Sequence, residues 1–317
     1  MVKFSVQMSS RCRSPDDWEV TKSLVLACEK LGYHSVWFGD HLATGDARLE
    51  CWTILSAISV IAEKIRFGPL VLCNNFRNPA LLAKMAASLD VISGGRLEFG
   101  IGAGGNREEH EAYGFDLPEP RVRIARLRES VEIIKKMWTE DKPSYKGRYY
   151  NIQNVLCEPK PLQKPHPPIT IGGGGEKLTL KVVAAYADRW NAFGPLDQYL
   201  QKMKTLERYC SRIGRDPQEI ERSFMFPLVV YRDAAELTEY MRRDYESTSM
   251  GRDKPFEKWI EMNRSRYILG TPDEWLDKIL RLIDSGITHF VIASERRVTE
   301  KRMNDLKLFA EKVINKI

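Results

Sequence analysis

Eight short apolar runs recur along the chain, each followed by a longer segment whose apolar residues fall at helical spacing. Strands are predicted at Phe4–Met8, Ser35–Gly39, Ile65–Cys73, Leu97–Ala103, Ile169–Ile171, Arg189–Ala192, Phe224–Val230 and His289–Ala293. Helices are predicted over residues 15–31, 50–63, 79–92, 121–138, 176–187, 197–211, 234–246, 272–285 and 299–315. Parallel strands need a crossover connection, usually a helix, whereas a tight hairpin serves antiparallel pairs. The alternation therefore reads as a parallel α/β protein. Eight units in 317 residues fit a closed (β/α)8 TIM-like barrel, in one domain over residues 1–317, better than an open doubly wound sheet. Spacing alone leaves strand order open.

Local punctuation agrees. Ser14-Pro15-Asp16-Asp17 and Thr271-Pro272-Asp273-Glu274 each combine a capping hydroxyl, a proline at the first helical position and acids in the first turn. Gly32 and Gly286 stand where helices end and a positive φ is needed. Two stretches exceed ordinary loop length. Residues 139–168 hold Tyr145-Lys146-Gly147-Arg148-Tyr149-Tyr150, which reads as a small hairpin, and then a proline-rich return. Residues 246–270 form the second insertion. Insertions of this kind at the C-terminal face of a barrel serve as lids or substrate walls.

Composition narrows the class. With 43% hydrophobic and 29% charged residues the chain can bury a large core. The net charge of +6 is mild and scattered, which suits a polyanionic small molecule and gives no footprint for nucleic acid. Cysteines at 12, 28, 51, 73, 157 and 210 form no C-x-x-C pair, so they read as reduced thiols of a cytoplasmic protein. The start, Met1-Val2-Lys3-Phe4-Ser5-Val6, lacks the apolar core of a signal peptide, and no apolar run approaches the ~20 residues of a membrane helix. The expectation is an enzyme acting on a small molecule, with neither nucleic acid nor membrane as partner.

A barrel places its chemistry at the C-terminal ends of its strands. After strand two come Asp40 and His41; the pair can orient an imidazole and move a proton near neutral pH, or cap a turn at the surface. After strand three, Cys73 and Asn74 face the mouth, and with Leu72 they are expected to bind a cofactor; for Cys73 a buried small residue fits better than a nucleophile. After strand four, Gly100, Gly102 and Gly105 match G-x-G-x-x-G formally, but the first glycines lie inside the strand and no ribose-binding acid follows at the expected distance. A flat ligand lying where a Cβ would intrude explains them better. Glu108, Glu109 and His110 read as a solvated helix start or a substrate wall. After strand five, Gly172-Gly173-Gly174-Gly175-Glu176-Lys177 leads into a helix, a backbone cradle for an anion without the lysine-serine pair of a P-loop.

These phrases together resemble the bacterial-luciferase-like family of flavin- and coenzyme F420-dependent oxidoreductases. Leu31-Gly32-Tyr33-His34-Ser35-Val36-Trp37-Phe38-Gly39-Asp40-His41, Arg77-Asn78-Pro79-Ala80-Leu81-Leu82-Ala83-Lys84, Ser93-Gly94-Gly95-Arg96 and Gly100-Ile101-Gly102-Ala103-Gly104 carry the likeness. Glu109-His110-Glu111-Ala112-Tyr113-Gly114, Ile171-Gly172-Gly173-Gly174-Gly175 and Ala187-Asp188-Arg189-Trp190-Asn191 complete it over nearly the full length. The resemblance implies a ring lying across the barrel mouth, backed by a non-proline cis peptide within Leu70–Asn74. It implies that Asp40 contacts the ring and that His41 handles the proton. It further implies that Ala103, Gly104, Asn106 and Asn191 line the cofactor, and that Gly173, Gly174, Gly175 and Glu176 hold its phosphate. Trp52, Glu109 and Tyr113 are expected in the substrate pocket, no metal is expected, and the family is often dimeric. Sugar-phosphate dehydrogenases of this family carry a carboxylate base after the strand-four glycine. Gly105 occupies that place here, which argues against glucose-6-phosphate oxidation by that mechanism. The resemblance favours coenzyme F420 as cofactor, its anionic glutamyl tail suiting the positive charge. An FMN-dependent monooxygenase is the alternative enzyme, and a cofactor-binding protein without activity the non-enzymatic one.

Overall fold

The computed structural model describes residues 1–42, 45–230, 234–247, 255–263, 268–293 and 300–317. The chain begins β1 (Lys3–Met8), α1 (Pro15–Lys30), β2 (Ser35–Phe38), α2 (Cys51–Ile61), β3 (Arg66–Pro69), β4 (Leu72–Cys73), α3 (Pro79–Ile92) and β5 (Phe99–Gly102). It continues with α4 (Arg107–Ala112), α5 (Pro120–Thr139), β6 (Tyr145–Lys146), β7 (Asn151–Ile152), β8 (Ile169–Gly172), α6 (Thr179–Tyr186), β9 (Arg189–Phe193) and α7 (Leu196–Arg212). It ends with β10 (Glu221–Phe226), β11 (Leu228–Val230), α8 (Ala234–Ser247), α9 (Phe256–Asn263), β12 (Ile268–Gly270), α10 (Pro272–Asp284), β13 (His289–Ile292) and α11 (Glu300–Lys312).

The main sheet runs β3-β2-β1-β13-β10-β9-β8-β5-β4. Its two ends, β3 and β4, are consecutive pieces of one strand, so the sheet returns to its start. A parallel bridge between Phe67 and Leu97 ties β3 to the approach of β5 across that seam. Each strand lies beside its predecessor in sequence and all pair in parallel, which makes the sheet a barrel and excludes the doubly wound order. A cis peptide joins Leu70 to Val71 where the third strand breaks, inside the expected Leu70–Asn74 segment.

Side-chain alternation sorts the strands into an outer and an inner face. Phe4, Val6, Val36, Phe38, Ile169, Ile171, Phe224, Phe226, Phe290 and Ile292 turn outward into the core shared with the helices. Inside the barrel a separate apolar cluster forms from Trp37, Leu70 and Val291, with Val71 and Met225 packed on it. Toward the strands' N-terminal ends the interior becomes polar: Ser5, Ser35, Glu98, Thr170, Arg189, Ser223 and His289 are buried there. Arg189 pairs with Glu98 at 2.7 Å and with Glu221, which also takes Lys3 at 2.8 Å. Burial raises the Glu98 carboxyl, but Arg189 and Arg66 outweigh it and hold the group down to about 2. Burial, with Arg189 beside it, pushes His289 down to about 4, and its Nε2 shares a 2.7 Å hydrogen bond with Ser5 Oγ. The base of the cylinder is closed by paired charge.

Two sequence expectations shift. The strand predicted over Phe224–Val230 breaks at Pro227, which has no N–H for the ladder; β11 leaves the barrel and pairs with β12. The helix expected from residue 176 starts at Thr179, after a turn at 176–178. The first insertion does form an antiparallel hairpin, Tyr145 opposite Ile152. Of the second, α9 and β12 are described, while residues 248–254 and 264–267 lie outside the described residues. No helix among the described residues is long and apolar enough to cross a membrane.

Candidate active site

A cavity of about 610 Å³ opens at the C-terminal ends of the strands. Its floor is the inner apolar cluster, contributed by Leu70, Val71 and Met225. Its walls are backbone-rich: Gly102, Ala103 and Gly104 after β5 face Gly172, Gly173, Gly175 and Glu176 after β8. Asn191 and Phe193 of β9 and Arg123 of α5 complete it.

The strand-end glycines make room for the chain itself. A Cβ on Gly102 would stand 2.8 Å from Val71 Cγ2, and one on Gly172 at 2.8 and 2.9 Å from the two Val71 methyls. On Gly100 it would run into the Pro69 carbonyl oxygen. The expectation that a ligand occupies this space is corrected for these positions: the chain at the Leu70–Val71 break fills it, and any ligand lies above Val71. After β8, Gly173 adopts φ +129° and its N–H bonds to Asn191 O at 3.1 Å. Among the described residues none accepts a hydrogen bond from the amides of Gly174, Gly175 or Glu176. These donors precede the N-terminus of α6, where the helix dipole adds positive potential. Gly174 turns away from the cavity, its missing Cβ directed at Lys202 Nζ, 2.9 Å off.

Asp40 does not line the cavity. Its buried carboxylate accepts from Arg77 at 2.7 and 3.0 Å and from the Cys73 amide at 2.9 Å. Arg77 reaches on to Glu50, whose carboxylate caps α2 through the amides of Trp52 (3.0 Å) and Thr53 (2.7 Å). Asp40 thus pins the end of the third strand, with three hydrogen bonds on its two oxygens.

His41, beside it, is half-exposed, and its Nδ1 lies 3.0 Å from Glu109 Oε1. A carboxylate only accepts, so Nδ1 carries the proton and Nε2 is left as the acceptor. Glu109 is 2% exposed and rides on α4, which Asn106 caps by accepting from the Glu109 amide. His41 stands at the barrel mouth outside the lining of the 610 Å³ cavity.

Cys73, Asn74 and Leu72 also sit behind the cavity wall. Leu72 packs in the outer core, and the Asn74 amide lies 3.4 Å from the Tyr150 hydroxyl. Burial pushes the Cys73 thiol up to about 11, so it is no nucleophile at neutral pH. Its Sγ lies 3.8 Å from His110 Nε2, while His110 Nδ1 bonds to Asn106 O at 2.6 Å, bracing the loop that carries Gly104. Trp52 is buried in the core and not in a pocket. Tyr113 is exposed, its hydroxyl 3.5 Å from Leu42 O.

Sequence reading missed Val71, Met225, Phe193, Arg77 and Arg123 as builders of this region. Arg123 left one signal: a basic residue in the first turn of a helix opposes the dipole unless an anion lies near.

The luciferase-like monooxygenase family model matches residues 2–301. The F420-dependent glucose-6-phosphate dehydrogenase of Amycolatopsis mediterranei is 26% identical, covering 100% of this chain and 99% of that protein. Among solved structures, the coenzyme F420-dependent tetrahydromethanopterin reductase of Methanopyrus kandleri aligns with a TM-score of 0.82 at 20% identity, over 99% of both chains. An F420-dependent secondary alcohol dehydrogenase, solved with an F420-acetone adduct, aligns with a TM-score of 0.80 at 22% identity over 99% of this chain and 98% of its own. With a family model spanning nearly its whole length and a barrel shared with these enzymes, the chain belongs to the luciferase-like monooxygenase family.

Proposed function

We propose that this chain is a coenzyme F420-dependent oxidoreductase moving a hydride between the deazaflavin C5 and a small organic substrate. The observation that carries this reading is the cavity above Val71, with an apolar floor and, on one wall, free backbone amides at a helix N-terminus. The full-length relatives named for F420 support the choice of cofactor over FMN. The residues fit such a group: Leu70, Val71 and Met225 offer an apolar bed for a planar ring, and the Gly175 and Glu176 amides with Lys177 suit a phosphate.

When bound, the deazaflavin supplies the hydride chemistry. The chain supplies position and the proton. Glu109 keeps the His41 proton on Nδ1, so Nε2 takes a proton from an alcohol or, once protonated, returns it to a carbonyl. Asp40 and Arg77 act at one remove, fixing the Cys73 amide and with it the cavity edge. With Gly105 at the place of the sugar-phosphate base, Glu109 is the carboxylate nearest the proton path, and it works through His41.

The six free cysteines suit the reducing cytoplasm. We also propose a homodimer; Val60 on α2 and Leu81 and Ile92 on α3 are exposed apolar side chains that such an interface would cover. Titration with F420 and with FMN, followed by fluorescence, tests the cofactor. Micromolar or tighter binding of F420 and its reduction by a secondary alcohol are expected; tight binding of FMN alone overturns the assignment.

A further inference from the structure

We propose that the β6–β7 hairpin and α5 build a second, carboxylate-binding subsite beside the main cavity, and that it holds the glutamyl tail of the cofactor. The inference rests on the cofactor reading above.

The hairpin is clamped rather than loose. The buried Glu129 carboxylate on α5 accepts from the amides of Arg148 (2.9 Å), Tyr149 (2.9 Å) and Tyr150 (3.2 Å). Gly147 is required for that fit, since a Cβ there would lie 2.6 Å from Tyr145 Cε1. Glu132, the next carboxylate along α5, is taken by the hydroxyls of Tyr145 (2.6 Å) and Tyr186. Both acids near the hairpin are therefore committed.

The cations are not. Arg126 lies 5.6 Å and Arg148 5.4 Å from the centre of the Tyr149 ring, so two guanidiniums share one aromatic face system. Among the described residues neither has a carboxylate partner. Arg126 and Tyr149 border a cavity of about 300 Å³, with Tyr150 and Asn75 beside them. Tyr150 Oη accepts from the Asn74 amide, leaving its own proton to donate. Three residues before Arg126, on the same face of α5, Arg123 lines the 610 Å³ cavity and has a buried Nε with no partner. The first turn of α5 holds no acid to offset its arginines.

Arg123 and Arg126 thus form a cationic step from one cavity to the next, about 4.5 Å along the helix. Guanidinium forks of this kind pair bidentately with carboxylates. A chain of carboxylates leaving the first cavity past Arg123 meets Arg126 and Arg148 next. A carboxylate on the substrate offers the same chemistry, and the test separates the two.

Fluorescence titrations of the full chain compare F420 bearing several glutamates with its tail-less form, in wild type, Arg126→Gln and Arg126→Lys. The tailed cofactor is expected to bind about tenfold more tightly than the tail-less form at low salt, an advantage that shrinks as salt rises. Arg126→Gln removes most of that advantage and leaves tail-less binding unchanged; Arg126→Lys keeps part of it. Equal affinity of both forms for wild type, or an advantage that survives Arg126→Gln, overturns the proposal. If KM rises in Arg126→Gln for carboxylated but not neutral substrates while tail length is indifferent, the tail is overturned as occupant in favour of substrate. If neither cofactor form binds wild type, the cofactor reading is what fails.

Discussion

The buried Glu109 carboxylate holds Nδ1 of the half-exposed His41 at 3.0 Å. One group is fixed by burial and the other left open to solvent, the arrangement of a base and its orienting partner. His41→Ala is expected to keep cofactor affinity and lose about 10²- to 10⁴-fold in kcat. Glu109→Gln, which keeps an acceptor oxygen but no charge, should cause a smaller fall and shift the pH–rate profile. Unchanged turnover in His41→Ala removes the residue from the mechanism.

The buried Asp40 carboxylate and the partly buried Arg77 pair with bidentate geometry. Removing the cation leaves a carboxylate with no exposed side-chain surface, so Arg77→Ala should cost about 3–5 kcal/mol in denaturant unfolding. Asp40→Asn with Arg77→Met should recover part of that loss. A double variant no more stable than Arg77→Ala would show that the pair is not what the single change breaks.

Gly172 and Val71 meet so closely that a Cβ on the glycine would stand 2.8 Å from a Val71 methyl. Gly172→Ala is expected to destabilise by about 1–3 kcal/mol. In a Val71→Ala background the same change should cost less, an interaction energy of at least about 0.5 kcal/mol. Strict additivity in the four-corner cycle would contradict the contact.

The polar base of the barrel sets an acid limit. His289 falls from its ordinary 6.5 to about 4 through burial and Arg189, so below about pH 6.5 the unfolded chain takes up a proton that the fold refuses. Stability should therefore drop as pH falls from about 6.5 toward 4, by up to about 1.4 kcal/mol per pH unit for this one group. Glu98, held down from its ordinary 4.5 to about 2, adds stability that is complete above its unfolded pKa and is lost as pH falls from about 4.5 to about 2. Urea midpoints measured across this range should show a shallower slope for His289→Gln than for wild type.

Much of this could be read along the chain. The period of apolar residues, the Ser14 cap and the helix-ending Gly32 and Gly286 are local signals, and each needed only its own neighbours to declare itself. Asp40, His41 and the Gly172–Gly175 run could be placed at the open end because each ends or follows a predicted strand. Their partners were not. Nothing near residue 40 points to Arg77, and nothing near residue 41 points to Glu109, 68 positions away. The glycines of β5 suggested a ligand because sequence shows a missing Cβ but not what fills its place.

The sequence alone determined the alternation of strand and helix, hence a parallel α/β fold, and the residue types that follow each strand. Only the tertiary structure decided which carboxylates remain free: Asp40 is consumed by Arg77, Glu129 by three hairpin amides, and Glu98 by Arg189, while Glu109 is left to His41. Periodicity is set by contacts within one element, whereas the pairing of a charge depends on which distant side chains the closed barrel brings within reach before water is excluded.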